Sequence, residues 1–192
     1  MTFEEEFEKR DQRKKDGIEF LVYIAVLVLI SFLVVTFIGQ RTVVSGASMN
    51  NTLYDKDNLI IDKISYKFHD PKRFDVVVFP DPADKKTYFI KRIIGLPGEE
   101  VYIDPYGKIY INGALLEENY GKDTIIDPGR AANGVVLGKD EYFVMGDNRN
   151  NSLDSRFDEV GNIHKKDFVG RAWLKIYPFS DAKSLIPKES KK

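Results

Sequence analysis

Three stretches of the sequence hold residue types that could do chemistry together. The first is Ser45-Gly46-Ala47-Ser48-Met49-Asn50-Asn51-Thr52-Leu53. A serine hydroxyl is a weak nucleophile until a neighbouring base takes its proton. A lone loop serine is ordinarily a turn or capping residue, so Ser48 acquires meaning only with a partner. The chain has no cysteine and two histidines, His69 and His164. Thiolate nucleophiles, disulfides and zinc–cysteine sets are thereby excluded. Both histidines stand among turn formers and charged residues, as exposed loop residues do. The other known activator of a serine is a lysine. A lysine works as a base only when neutral, so it must be desolvated or placed where its charge is disfavoured.

The second stretch, Tyr88-Phe89-Ile90-Lys91-Arg92-Ile93-Ile94-Gly95, reads as a strand with two adjacent cations at its centre. Period-two alternation puts Lys91 on one face with Phe89 and Ile93, and Arg92 on the other with Ile90 and Ile94. Alternation does not say which face is buried. Lys91 is the candidate base because a guanidinium cannot be deprotonated at useful pH. The third stretch runs from Gly146 to Arg156 and is dense in turn formers and hydrogen-bonding side chains. By composition it is an ordered, solvated loop. Functionally, such a loop can supply a hydroxyl that orients a neutral lysine and an Asp–Arg pair that keeps the loop rigid.

The elements that must position these stretches are legible in the pattern. Residues 1–17 form a charged tail, read as a short solvated helix or a frayed end. Residues 20–38 then run without a charge. As a helix that run spans roughly 28 Å, close to the hydrocarbon thickness of a bilayer. It stays bulky to its end, with no small-x-small cleavage site, so it reads as an uncleaved anchor over 18–39. Basic residues cluster before it, which places the N-terminus in the cytoplasm and residues 40–180, a single domain, outside. Beyond the anchor the texture is β: 58–63, 75–79, 88–95, 100–103, 108–111, 141–145 and 171–177 are rich in β-branched and aromatic residues. Asn112-Gly113 predicts a hairpin, with 114–117 returning as its second strand. Residues 118–139 read as a loop or long hairpin arm, and 181–192 as a frayed basic tail. The expected fold is mainly β: an N-terminal transmembrane helix followed by a barrel-like or folded antiparallel sheet. With 29 basic and 30 acidic residues, no global excess of positive charge recruits nucleic acid.

In this order the blocks resemble the bacterial type I signal peptidases, serine–lysine membrane proteases. The resemblance is carried by the anchor, the Ser48-Met49-x-x-Thr52-Leu53 block, Arg73-Phe74-Asp75, Lys91-Arg92 through Gly98-Glu99, and Gly146 through Arg156. It implies Ser48 as nucleophile and Lys91 as general base, with no metal or cofactor. Ser152 would orient the lysine, Asp154 and Arg156 would pair to brace the site, and Asp147 and Arg149 would shape the loop. Met49 would line the substrate pocket, and the Ser48 N–H would donate to the oxyanion. Some members carry a serine hydroxyl as second donor where this chain has Gly46. Two further departures are Asn51 where proline is usual and Phe74 where glycine is common. The implied protein is a single-pass enzyme of the bacterial cell membrane. Its partners would be preprotein signal peptides, the lipid bilayer and the translocase. The competing readings are a membrane-anchored β-domain that binds peptides without catalysis, and a self-cleaving serine–lysine protease related to the SOS repressors. Against the second stand the anchor and the lack of a DNA-binding segment.

Overall fold

The computed structural model describes residues 3–33 and 39–187. The chain divides into two units, residues 1–39 and 40–192.

In the first unit, α1 (Phe3–Leu33) is one continuous helix. Its apolar side chains from Ile18 to Phe32 are 42–69% exposed at successive positions, so they cover every face. Among the described residues no helix is long and apolar enough to cross a membrane. Residues 34–38, the last five of the charge-free run, lie outside the described residues.

The second unit is built of antiparallel strands. One sheet runs in the order β1 (Gly39–Val43), β2 (Asn58–Asp62), β11 (Gly170–Tyr177), β3 (Val76–Pro80), β4 (Tyr88–Gly95), β9 (Glu141–Met145), β10 (Ile163–His164), with β12 (Lys183–Ser184) paired to β11. A second sheet runs β7 (Ala114–Leu115), β6 (Ile109–Ile111), β5 (Glu100–Ile103), β8 (Val135–Val136). The predicted hairpin turns at Asn112 and Gly113, with φ of 49° and 79°, the pair of positive φ values that an Asn-Gly turn demands.

The central strands are buried on both faces, which explains their near-continuous apolar runs. On β4, Ile90 packs in a cluster with Met49, Leu53 and Val78. Ile93 packs with Val77, Phe79 and Val144, and Ile94 with Val101, Phe143 and Met145. Alternation could not choose between Lys91 and Arg92 because both are interior, at 3% and 2% exposure.

One expectation needs correction. Residues 181–187 are not frayed: β12 pairs with β11, and Leu185 is buried in the core. Lys175, 2% exposed, forms ion pairs with Asp57 at 2.5 Å and Asp181 at 2.7 Å, which ties the C-terminal segment to the sheet. Residues 188–192 lie outside the described residues. The stretch 118–139 is mostly loop, yet its end forms β8 and pairs with β5.

Candidate active site

Ser48 sits in a tight turn after β1. Asn50 N–H donates to the Ala47 carbonyl at 3.0 Å, and Leu53 N–H to the Met49 carbonyl at 2.8 Å. The turn is pinned from below by Met49 and Leu53, 1% and 0% exposed. Burying both side chains leaves Ser48, one residue before Met49, half-buried at the surface of the core.

Lys91 approaches from β4. Its Nζ is hydrogen-bonded to Ser48 Oγ at 2.9 Å and also donates to the Ile90 carbonyl at 3.2 Å. It lies 4.8 Å from the centre of the Phe89 ring. Burial removes water from the ammonium and lowers the Lys91 pKa to about 8, while the carboxylates of Asp154, Asp147 and Asp81 pull it back up. A neutral amine at this distance can accept the Ser48 proton along the existing contact.

The loop at 146–156 closes the site from the other side. Gly146 is required there: a Cβ would collide with Ser152 Oγ and the Ser48 carbonyl. Asp154 Oδ2 accepts from Gly146 N–H at 3.0 Å, and its carboxylate is paired with Arg156 through bonds of 2.8 and 2.9 Å. Arg156 also donates to the carbonyls of Asp127 and Arg149. Asp154 and Arg156 are 0% and 1% exposed, so each charge has its partner inside the protein. Arg149 pairs with Glu118 at 2.7 Å and donates to the Gly146 carbonyl at 3.2 Å.

Ser152 stands differently from what the resemblance implies. Its Oγ is buried and has no hydrogen-bond partner, so the bond to Lys91 is not made. The hydroxyl lies beside Gly146 and the Ser48 carbonyl instead. Gly46 has φ of 95°, and its Cα faces open space with nothing within 4 Å of where a Cβ would stand. Its N–H donates to Asp55 Oδ1 at 3.0 Å. Asn51 and Phe74, the two departures from the family pattern, share an unusual backbone. Phe74 has φ of 72°, a value glycine reaches without strain. Asn51 has φ of 98°, an angle a proline ring cannot reach.

A groove of about 680 Å³ runs past Ser48 and Lys91. Val44, Gly46, Met49, Ile90 and Leu153 line it, with residues 42–49 and 87–91 both contributing to its lining. His69 and His164 are exposed and line no part of it.

Several contributors escaped sequence reasoning. Arg92, weighed only as a rival of Lys91, makes two bonds to Asp147 at 2.8 and 2.6 Å, stacks 3.8 Å from the Tyr120 ring, and donates to Thr52 Oγ1 at 3.1 Å. Thr52 donates in turn to Asp147. The loop at 118–139 supports the site loop directly: Lys122 N–H donates to the Asp147 carbonyl at 2.8 Å, and Arg130 N–H to the Arg156 carbonyl at 2.9 Å. Asn148 was passed over between two charged neighbours. Adjacency of Lys91 to Arg92, and of Asp147 to Asn148, was the available signal, but pairing partners distant in sequence cannot be read from it.

The chain matches the model of one protein family, described as signal peptidase, peptidase S26, over residues 17–177. It is 41% identical over 148 residues to a probable signal peptidase I-2 of Synechocystis, covering 74% of this chain and 65% of that protein. To a signal peptidase I P of Bacillus subtilis subsp. natto it is 35% identical, over 90% of this chain and 95% of that one. A signal peptidase I of Leptolyngbya laminosa is 36% identical, with 95% of this chain and 89% of that one covered.

Proposed function

The chain belongs to the signal peptidase family, peptidase S26, and from that premise we propose that it is a membrane-anchored serine endopeptidase that removes N-terminal signal peptides from translocated preproteins. Ser48 is the nucleophile and Lys91 the general base. The observation that carries this reading is the 2.9 Å contact between Lys91 Nζ and Ser48 Oγ, made by a lysine whose pKa burial has lowered to about 8.

The substrate lies extended in the groove, its main chain hydrogen-bonded beside residues 42–46 or 87–91. The shallow apolar lining of Val44, Met49, Ile90 and Leu153 suits the small side chains that precede a signal-peptide cleavage site. Neutral Lys91 accepts the Ser48 proton as Oγ attacks the scissile carbonyl. The tetrahedral oxyanion is met by the Ser48 N–H. Lys91 then gives the proton to the leaving amine, and the acyl-enzyme forms. A water, deprotonated by Lys91, attacks the ester, and the acyl group leaves Ser48 with its proton restored. Asp154–Arg156 and Arg92–Asp147 hold the loop and the strand in register through this cycle. Ser152 Oγ, beside Ser48 and without a fixed partner, is free to turn toward Lys91 as the lysine changes charge.

The apolar faces of α1 and the charge-free sequence beyond it support an anchor over 18–39, with the N-terminus cytoplasmic and the catalytic domain outside. An anchored site meets membrane-bound preproteins emerging from the translocase at raised effective concentration. The test is cleavage of a preprotein in detergent micelles. Ser48→Ala and Lys91→Ala should each abolish processing with the fold intact; near-normal activity in either would overturn the dyad.

A further inference from the structure

One residue holds both peptide groups that flank Ser48. Asn148 Nδ2 donates to the Ala47 carbonyl at 3.0 Å, and Asn148 N–H donates to the Ser48 carbonyl at 3.0 Å. Asn148 is 6% exposed, so its amide is committed to this contact rather than to solvent. The Ala47 carbonyl accepts a second bond from Asn50 N–H, also at 3.0 Å.

The direction of the Ser48 N–H follows from these bonds. The Ala47–Ser48 peptide is trans. In a planar trans unit the C=O and N–H point opposite ways, so fixing the Ala47 oxygen fixes the Ser48 N–H. Among the described residues that N–H has no protein acceptor. Gly46 offers no side chain, and its own N–H is taken by Asp55. The burden of oxyanion stabilisation therefore falls on a peptide whose orientation the Asn148 amide and the Asn50 N–H set together. Bonds to a carbonyl also polarise the amide and strengthen its N–H as a donor.

We propose that Asn148 is the positioning residue of the oxyanion site: its side-chain amide aims and polarises the Ala47–Ser48 peptide so that the Ser48 N–H meets the negative charge developing on the scissile carbonyl. The proposal rests on the reading of Ser48 as nucleophile. Asn148 is not among the residues lining the groove and makes no hydrogen bond to Lys91; it acts through one peptide bond. The backbone bond from Asn148 to the Ser48 carbonyl survives any side-chain change, so substitution isolates the amide.

The experiment uses the full chain in detergent micelles, a preprotein substrate, and activity normalised to folded enzyme. Asn148→Ala should lower kcat roughly tenfold to a hundredfold, somewhat less than outright removal of an oxyanion donor costs. KM should stay within about twofold, because the lost interaction belongs to the transition state. The pH midpoint of the rate should not move, since Lys91 keeps its surroundings. Asn148→Asp, which keeps the volume and places an acceptor against the Ala47 oxygen, should be at least as slow. Asn148→Gln, which retains an amide donor, should recover part of the loss. A peptide aldehyde, whose adduct with Ser48 carries the oxyanion, should lose affinity in step with kcat; an uncleavable peptide should not. Unchanged kcat, equal loss for aldehyde and peptide, or, in Asn148→Ala, a pH midpoint that shifts with kcat would overturn the proposal. Failure of all three variants to fold would overturn it too, marking the amide as structural. Ser48→Ala serves as the separate control: residual processing in that variant defeats the nucleophile assignment itself, whatever Asn148 does.

Discussion

Arg92 and Asp147 form an ion pair at 2.6 Å with side-chain exposures of 2% and 0%. Arg92 follows Lys91 on β4, and Asp147 precedes Asn148, which holds the peptide groups on either side of Ser48. The pair therefore fastens the strand that bears Lys91 to the loop that closes over Ser48. Removing one member leaves the other charge buried without compensation, which typically costs about 3–5 kcal/mol. Asp147→Asn should show a loss of that size in chemical denaturation. Asp147 also raises the Lys91 pKa by its charge. In whatever fraction folds, the alkaline-rising limb of the rate should move to lower pH.

The wild-type rate should rise with pH through the Lys91 titration, near 8. At pH 7 about one tenth of the enzyme would carry neutral Lys91. A pH–rate profile that kept climbing with ordinary lysine titration would argue against the buried base. Stability carries the same signature. The Lys91 pKa is about 8 in the folded chain against 10.5 for an unperturbed lysine, so the unfolded chain binds more protons between those values. Stability then increases as pH rises across that window, and is lost as pH falls through the folded pKa, by on the order of 3 kcal/mol. Lys91→Met should flatten this dependence in denaturation curves recorded across the window.

Gly146→Ala places a methyl group against Ser152 Oγ and the Ser48 carbonyl, and a backbone oxygen cannot step aside as a side chain can. Processing should fall at least tenfold, with a thermal shift showing a loss of about 1–3 kcal/mol from overpacking.

Phe74 separates two effects at one position. Its ring lies 5.1 Å from that of Tyr120, and its backbone sits at φ of 72°. Phe74→Ala and Phe74→Gly both lose the ring, but only glycine escapes the backbone strain. The glycine variant should be the more stable of the two by about 1 kcal/mol in urea denaturation. Equal stabilities would mean the backbone relaxes when the ring is removed.

Lys175 distinguishes its two carboxylate partners by their exposure. Asp57 is buried while the Asp181 side chain is 45% exposed. Burial alone would lower the Lys175 pKa, but bonds to Asp181 and Asp57 outweigh it and raise it. Lys175→Met should cost about 3–5 kcal/mol by stranding Asp57, and adding Asp57→Asn should restore part of it. Asp181→Asn alone should cost less than about 1 kcal/mol, as for an exposed pair.

By itself the sequence determined the longer strands, the Asn112-Gly113 turn and the pair of residues proposed to carry the chemistry, while the short strands β1, β8, β10 and β12 went unread. Strand boundaries were legible because β-branched and aromatic runs broken by turn formers are local signals; β4 spans the residues its alternation suggested. Ser48 and Lys91 could be paired on paper because Lys91 stands at the centre of an apolar strand and because the order of the blocks resembles a serine–lysine protease. Tertiary structure alone decided what surrounds them. A strand covered on both faces hides two adjacent cations, and period-two alternation carries no information about a second covering layer. Which carboxylate neutralises Arg92 depends on Asp147 arriving from 55 residues away. Glu118 reaching Arg149, and Asn148 reaching Ala47, likewise join loops that are remote in sequence. Such contacts arise from the path of the chain through three dimensions, so the residues that aim the chemistry, unlike those that perform it, became visible only when the chain was folded.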